Sequence, residues 1–188
     1  DHWAACRGGL ICLEHTPRGP VLRPMPQGVL QALGETLLVI DTGHARSSAP
    51  SNWDLFRRRI AGEPGAVSAL ADVARAGRRG AEALAVGDWR RLGRAMSADL
   101  EARARWSSLV LPSRSAALLA AARRAGAWGG RVCGAGGGGF AVVLAPPQRR
   151  RRVADAVAAA SGGAAGGLVE TRPDPRGLTV RRFSPKGS

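Results

Sequence analysis

At 188 residues, with 45% hydrophobic but only 4% aromatic side chains and no Tyr, the sequence has the make-up of a globular domain, or of part of a two-domain enzyme, whose helices pack on alanine and glycine. No apolar stretch approaches the roughly 18 residues that span a bilayer. No secretory leader is visible, and Cys6, Cys12 and Cys133 lack CxxC or metal-ligand spacing, so the expectation is a cytoplasmic protein with reduced thiols and no membrane partner. The formal charge of +14 invites a nucleic-acid reading, but Lys186 is the only lysine and the arginines are dispersed apart from Arg149 to Arg152. Without aromatic interleaving this reads as the composition of a GC-rich coding sequence, and no nucleic-acid partner is expected.

Taken in chain order, Asp1 is placed to cap a short helix through Cys6, halted by Gly8-Gly9. Leu10 to Glu14 and Val21 to Met25 are short, proline-punctuated strand candidates. Glu35 to Asp41 is a nearly continuous apolar run suited to the middle of a sheet. It ends at Thr42-Gly43, and a polar stretch, His44 to Asn52, leads into a helix from about Trp53. Val67, Leu70, Ala74, Gly77, Ala81 and Leu84 recur at steps of three and four and predict one apolar helical stripe. Gly87 suits the stop of that helix and Asp88 the cap of the next, with Trp89, Leu92, Met96 and Leu100 on its inner face. A further helix is expected from about Ser113 to Ala125, closing at Gly126. The period then changes to strand (Gly130 to Cys133), glycine loop (Gly134 to Gly139) and strand (Phe140 to Ala145). A helix from about Gln148 to Ala160 and strands near Leu168 to Thr171 and Leu178 to Arg181 follow, and Ser184 to Ser188 reads as a tail. The order strand, helices, strand, strand, helix, strand is the split βαβ pattern of a ferredoxin-like layer with an inserted helical hairpin, an α+β architecture.

The sharpest feature is Gly134-Ala135-Gly136-Gly137-Gly138-Gly139, between two β-like runs. Five glycines in six positions oppose both strand and helix. They permit positive φ and leave no side chain, so that backbone N–H groups can converge on an anion. A hairpin turn is the other reading of the same residues, although hairpins rarely need more than one or two glycines. Trp128, just before the loop, is placed to prop it, and the other tryptophans fall at helical apolar positions expected in the core. Cys133 beside the loop reads as a small buried residue.

The stretch Gly126 to Pro147 (GAWGGRVCGAGGGGFAVVLAPP) resembles the third motif of the GHMP kinases, the family of galactokinase, homoserine kinase, mevalonate kinase and phosphomevalonate kinase. Within that family it is most similar to the D-glycero-D-manno-heptose 7-phosphate kinase branch. The segment from Asp1 to Leu10 (DHWAACRGGL) resembles the family's DQYAA-xGG segment, which makes Asp1 the candidate catalytic base. Asp41 to Ser48 is similar to the branch's TG-xxRxS segment, which makes Arg46 and Ser47 candidate substrate-binding residues. His2 and Trp3 depart from the branch's Gln and Tyr. The family's phosphate-gripping Pro-x-x-x-Gly-Leu-Gly-Ser-Ser loop does not occur in this sequence.

The resemblance implies a C-terminal kinase domain over 31–183, preceded by a remnant of an N-terminal catalytic domain over 1–30 and followed by a tail over 184–188. It implies ATP and Mg²⁺ as cofactors, no metal ligands within this chain, and a sugar or sugar phosphate as acceptor, heptose 7-phosphate first. Galactose or mevalonate would be the alternative acceptors within the family. The remaining partner would be a missing N-terminal half of the same protein. A non-catalytic basic module that recruits nucleic acid is the rival from another class, recognisable by steeply salt-dependent binding.

Overall fold

The computed structural model describes residues 2–25, 27–45, 51–163 and 166–180. The chain divides into two units, one of residues 1–34 with 172–188 and one of residues 35–171.

In the first unit, α1 (His2–Arg7) runs into Gly8 and Gly9, both at φ +67°. β1 (Ile11–Thr16) and β2 (Gly19–Pro24) form an antiparallel hairpin in register from Ile11–Pro24 to Thr16–Gly19. The Thr16 hydroxyl donates to the Gly19 carbonyl at 2.7 Å across the turn. α2 (Gln27–Thr36) occupies a stretch for which the sequence reading gave no element and whose last two residues it assigned to the following strand. Val29, Leu30 and Leu33 do have helical spacing, but they merge into the apolar run that follows, which hides the boundary. Residues 172–180 return to this unit. The Gly9 N–H donates to the Asp174 carbonyl at 2.7 Å, and a Cβ at Gly8 would stand 2.1 Å from the Gly177 nitrogen. The strand expected at Leu178 to Arg181 is not formed over 178–180. There the Leu178 N–H is donated to the Cys6 carbonyl at 3.3 Å. Arg181 and the tail at 184–188 lie outside the described residues.

The second unit is built on β3 (Leu37–Asp41), which enters the middle of a four-stranded sheet of order β4-β5-β3-β6. The other strands are β4 (Gly129–Val132), β5 (Phe140–Leu144) and β6 (Gly167–Val169), and every neighbouring pair is antiparallel. In chain order this is the ferredoxin-like arrangement, with the first strand between the third and the fourth. Alternate residues of the central strands, Leu38 and Ile40 of β3 and Ala141 and Val143 of β5, share one buried core. Leu118 and Ala122 of α6 (Ser113–Arg124) and Val153 and Val157 of α7 (Arg150–Ser161) complete it. Each fully buried Ile, Leu or Val contributes roughly 1.5–3 kcal/mol of apolar transfer.

Between β3 and α6 lie α3 (Ser51–Ile60), α4 (Pro64–Ala85) and α5 (Trp89–Trp106). α4 and α5 form the expected hairpin. Gly87 turns at φ +68°, and the Asp88 carboxylate accepts the Arg91 N–H at 2.9 Å as the α5 cap. The buried stripe of α4 is one residue out of phase with the expected one. It consists of Ala66, Ala69, Ala76 and Ala83, while Val67 and Ala74 face outward. The reason is steric. At Gly80 a Cβ would already be in van der Waals contact with Leu92 and Ala95 of α5, so only the smallest side chains fit the line of closest approach. The larger Leu70, Val73 and Leu84 flank that line, half buried. The tryptophans also differ from expectation. None is fully buried, and Trp3 and Trp53 are exposed.

Candidate phosphate-binding loop

The six residues Gly134 to Gly139 join β4 to β5. Gly134, Gly136, Gly137, Gly138 and Gly139 have φ of +60°, +86°, +80°, +125° and +74°. Only glycine adopts such a succession without strain. Two of the glycines are also required for space. A Cβ at Gly136 would lie 2.3 Å from the Val110 carbonyl oxygen, and one at Gly138 would lie 2.7 Å from that of His44. The loop is thus pressed between the short 3-10 turn at Ser108–Val110 and the segment that leaves β3.

Its backbone donors divide into two sets. The N–H groups of Gly136, Gly137 and Gly139 donate to the carbonyls of Cys133 (3.2 Å), Val110 (3.1 Å) and His44 (2.8 Å), which fixes the loop in the fold. The N–H groups of Gly134, Ala135 and Gly138 have no protein acceptor among the described residues. Half of the loop's donors hold it in the fold, and the other half are left for an acceptor from outside the described residues, such as the oxygens of an anion.

Residues that the sequence reading did not single out hold this loop. The buried Thr42, at the end of β3, donates from both its N–H (2.9 Å) and its hydroxyl (2.7 Å) to the Gly139 carbonyl. Arg114, in the first turn of α6, donates to the Thr42 carbonyl at 2.6 Å. On the other side Arg131 donates to the Gly134 carbonyl at 3.3 Å and pairs with Asp99 of α5 at 2.6 Å. Asp99 also receives the Arg103 guanidinium at 3.0 Å, and Arg103 lies over the Trp106 ring at 5.6 Å. Burial lowers the pKa of Arg131, and Asp99 opposes that shift. Burial raises the pKa of the Cys133 thiol, against the pull of Arg131, so Cys133 stays a neutral neighbour of the loop. The Asp99–Arg103 pair has i, i+4 spacing and was visible in the sequence. The link from Asp99 to Arg131 was not, because it crosses from a helix to a strand.

Trp128 does not prop the loop. It precedes β4, while the loop follows it, so the two occupy opposite ends of that strand. Asp1, Arg46 and Ser47 lie outside the described residues. Among the described residues no three His, Cys, Asp or Glu side chains gather as a metal site, and no helix is long and apolar enough to cross a membrane.

Residues 81–173 match the family model of the GHMP kinases C terminal. No match is found among curated proteins. Among solved structures, the chain is similar to L. major mevalonate kinase in complex with R-mevalonate, with a TM-score of 0.65 at 24% identity over 81% of this chain and 45% of that one. It is similar to a D-glycero-D-manno-heptose 1-phosphate kinase from Bacteriodes thetaiotaomicron, with a TM-score of 0.62 at 18% identity over 97% of this chain and 49% of that one. It is also similar to Lactococcus lactis galactokinase complexed with galactose, with a TM-score of 0.64 at 16% identity over 89% and 50% of the two chains. The chain therefore spans about half the length of these structures. The glycine hairpin between the second and third strands of the ferredoxin-like sheet lies within residues 81–173, and over those residues the chain matches the C-terminal domain of the GHMP kinases.

Proposed function

We propose that the chain is the C-terminal part of a cytoplasmic kinase that transfers the terminal phosphate of ATP to a hydroxyl of a sugar or sugar phosphate, with heptose 7-phosphate as the first acceptor to test. Residues 1–30 are the end of the N-terminal catalytic domain in this reading, and 31–183 form the C-terminal domain. The observation that best supports it is the loop Gly134–Gly139, with three backbone N–H groups that lack a protein acceptor among the described residues, inside the stretch that matches the family's C-terminal domain. ATP, carried with Mg²⁺, supplies the phosphoryl group. The described residues offer no cluster of three His, Cys, Asp or Glu side chains for the metal.

The chain's own residues then position and stabilise, which is most of what phosphoryl transfer asks of a protein. The amides of Gly134, Ala135 and Gly138 steady phosphate oxygens, and Arg131 and Thr42 hold the loop for that purpose. In this reading Asp1 accepts or orients the proton of the acceptor hydroxyl, and Arg46 and Ser47 are the residues that bind the anionic group of a phosphorylated acceptor.

The test is phosphotransfer from Mg-ATP to heptose 7-phosphate, galactose and mevalonate by a form of the enzyme that also carries the phosphate-gripping loop. Asp1→Asn in that enzyme is expected to lower kcat about 100- to 10,000-fold with ATP affinity nearly unchanged. A loss of only a few-fold would remove Asp1 from the mechanism.

A further inference from the structure

A concave site lies at the other end of the β4–β5 hairpin, about 13 Å of strand away from the glycine loop. It is a cavity of about 560 Å³ lined by Arg90 and Arg94 of α5, Gly126 and Ala127 after α6, Trp128 before β4, and Pro146 and Arg149 after β5. Three arginines thus line one small space, and no carboxylate lines it. Among the described residues none of the three has a side-chain partner. The two acids that precede Arg90 in sequence both engage Arg91, Glu82 its guanidinium at 2.6 Å and Asp88 its N–H at 2.9 Å.

The site is also shaped by the backbone. At Gly126, with φ +108°, a Cβ would stand 2.8 Å from Cδ and from a terminal nitrogen of Arg149, so glycine there is what lets the Arg149 side chain lie flat over the end of α6. At Gly93 a Cβ would stand 2.9 Å from the Trp128 carbonyl carbon and Cβ, so a second glycine lets the Trp128 backbone pack directly on α5. Arg90 and Arg94 stand at i, i+4 in the first two turns of α5, a helix with no acidic residue in its first turn. Cations there oppose the helix dipole and repel one another, an arrangement that an anion in the cavity would relieve. A volume of this size suits a small molecule rather than a polymer.

We infer that Arg90, Arg94 and Arg149, with Trp128 as the wall, form a second anion site that takes a small ligand carrying at least two phosphate-type charges, separate from the glycine loop. The fork of each guanidinium offers paired donors to phosphate oxygens, which dispersed surface lysines would not. This site depends on the geometry of residues 90–149 alone and stands whether or not the chain takes part in phosphotransfer.

The test is calorimetric titration of the 188-residue chain with inorganic pyrophosphate, with tryptophan emission followed in parallel. Saturable binding is expected, weakened about ten-fold or more by Arg94→Gln together with Arg149→Gln. Removing the same charge from α4 with Arg78→Gln and Arg79→Gln, both exposed and outside the cavity, is expected to leave affinity within two-fold. Gly126→Ala is expected to weaken binding without any change of charge, because the added Cβ displaces Arg149. If Gly126→Ala does not fold, the two arginine pairs decide the matter alone. Equal weakening by both pairs, unchanged binding in Arg94→Gln/Arg149→Gln, or no saturable binding would each overturn the site.

Discussion

The β4–β5 hairpin presents an arginine-bearing surface at each end, and the two ends use arginine in opposite ways. At the glycine-loop end, Arg131 is largely buried, paired with Asp99 and hydrogen-bonded to the loop carbonyl of Gly134. Its charge is consumed in holding backbone. At the far end, Arg90, Arg94 and Arg149 are exposed around a cavity without a carboxylate. In a chain with a net charge of +14 the number of arginines says little about where an anion goes. Whether a carboxylate has already claimed them says more. At the loop end the donors left for a ligand are peptide N–H groups, and at the other end they are guanidinium groups.

Three substitutions sharpen that contrast. The largest effect is expected for Gly136→Val, which forces a β-branched residue to φ +86° and drives its Cβ into the Val110 carbonyl. A loss of more than about 4 kcal/mol is expected, enough to unfold most domains of marginal stability. Urea denaturation followed by circular dichroism checks it, and a folded, wild-type-like Gly136→Val would mean the loop is not packed as described. It follows that loss of activity in this variant would report folding rather than phosphate contact. Asp99→Ala comes next. It strips both Arg103 and Arg131 of their counter-ion in a poorly hydrated place and is expected to cost about 3–5 kcal/mol. The same denaturation experiment measures it, and a change below about 1 kcal/mol would show that water replaces the carboxylate freely. The smallest effect is expected at the far end. Arg149→Gln should leave stability within about 0.5 kcal/mol, since its guanidinium has no protein partner among the described residues to lose. A larger loss of thermal stability would show that Arg149 serves the fold and would weaken its claim to a ligand.

Much of the fold could be read from local chemistry. The apolar run before Asp41, the Gly87-Asp88 stop and cap, and the switch from helical to strand period after Gly126 each have a cause within a few residues of chain. Hence β3, the α4–α5 hairpin and the β4–loop–β5 unit were expected where they occur. The candidate loop was legible for the same reason, because five glycines in six positions serve little purpose except positive φ. What held the loop was not legible. Asp99 and Arg131 stand 32 positions apart on a helix and a strand, and Thr42 meets Gly139 across 97 residues.

The sequence by itself determined β3, the α4–α5 hairpin, α6, β4, β5 and α7, because caps, glycine stops and periodicity act over one or two turns, whereas α2 and the stretch after Gly177 lacked such local signals. Tertiary structure decided which side of those elements faces inward. The inward line of α4 runs through Ala66, Ala69, Ala76 and Ala83 rather than through the larger side chains beside them, because close helix packing selects for smallness, whereas the sequence pattern advertises hydrophobicity. It also decided which arginines are free. That depends on where carboxylates lie in space, and neither charge count nor spacing along the chain encodes it.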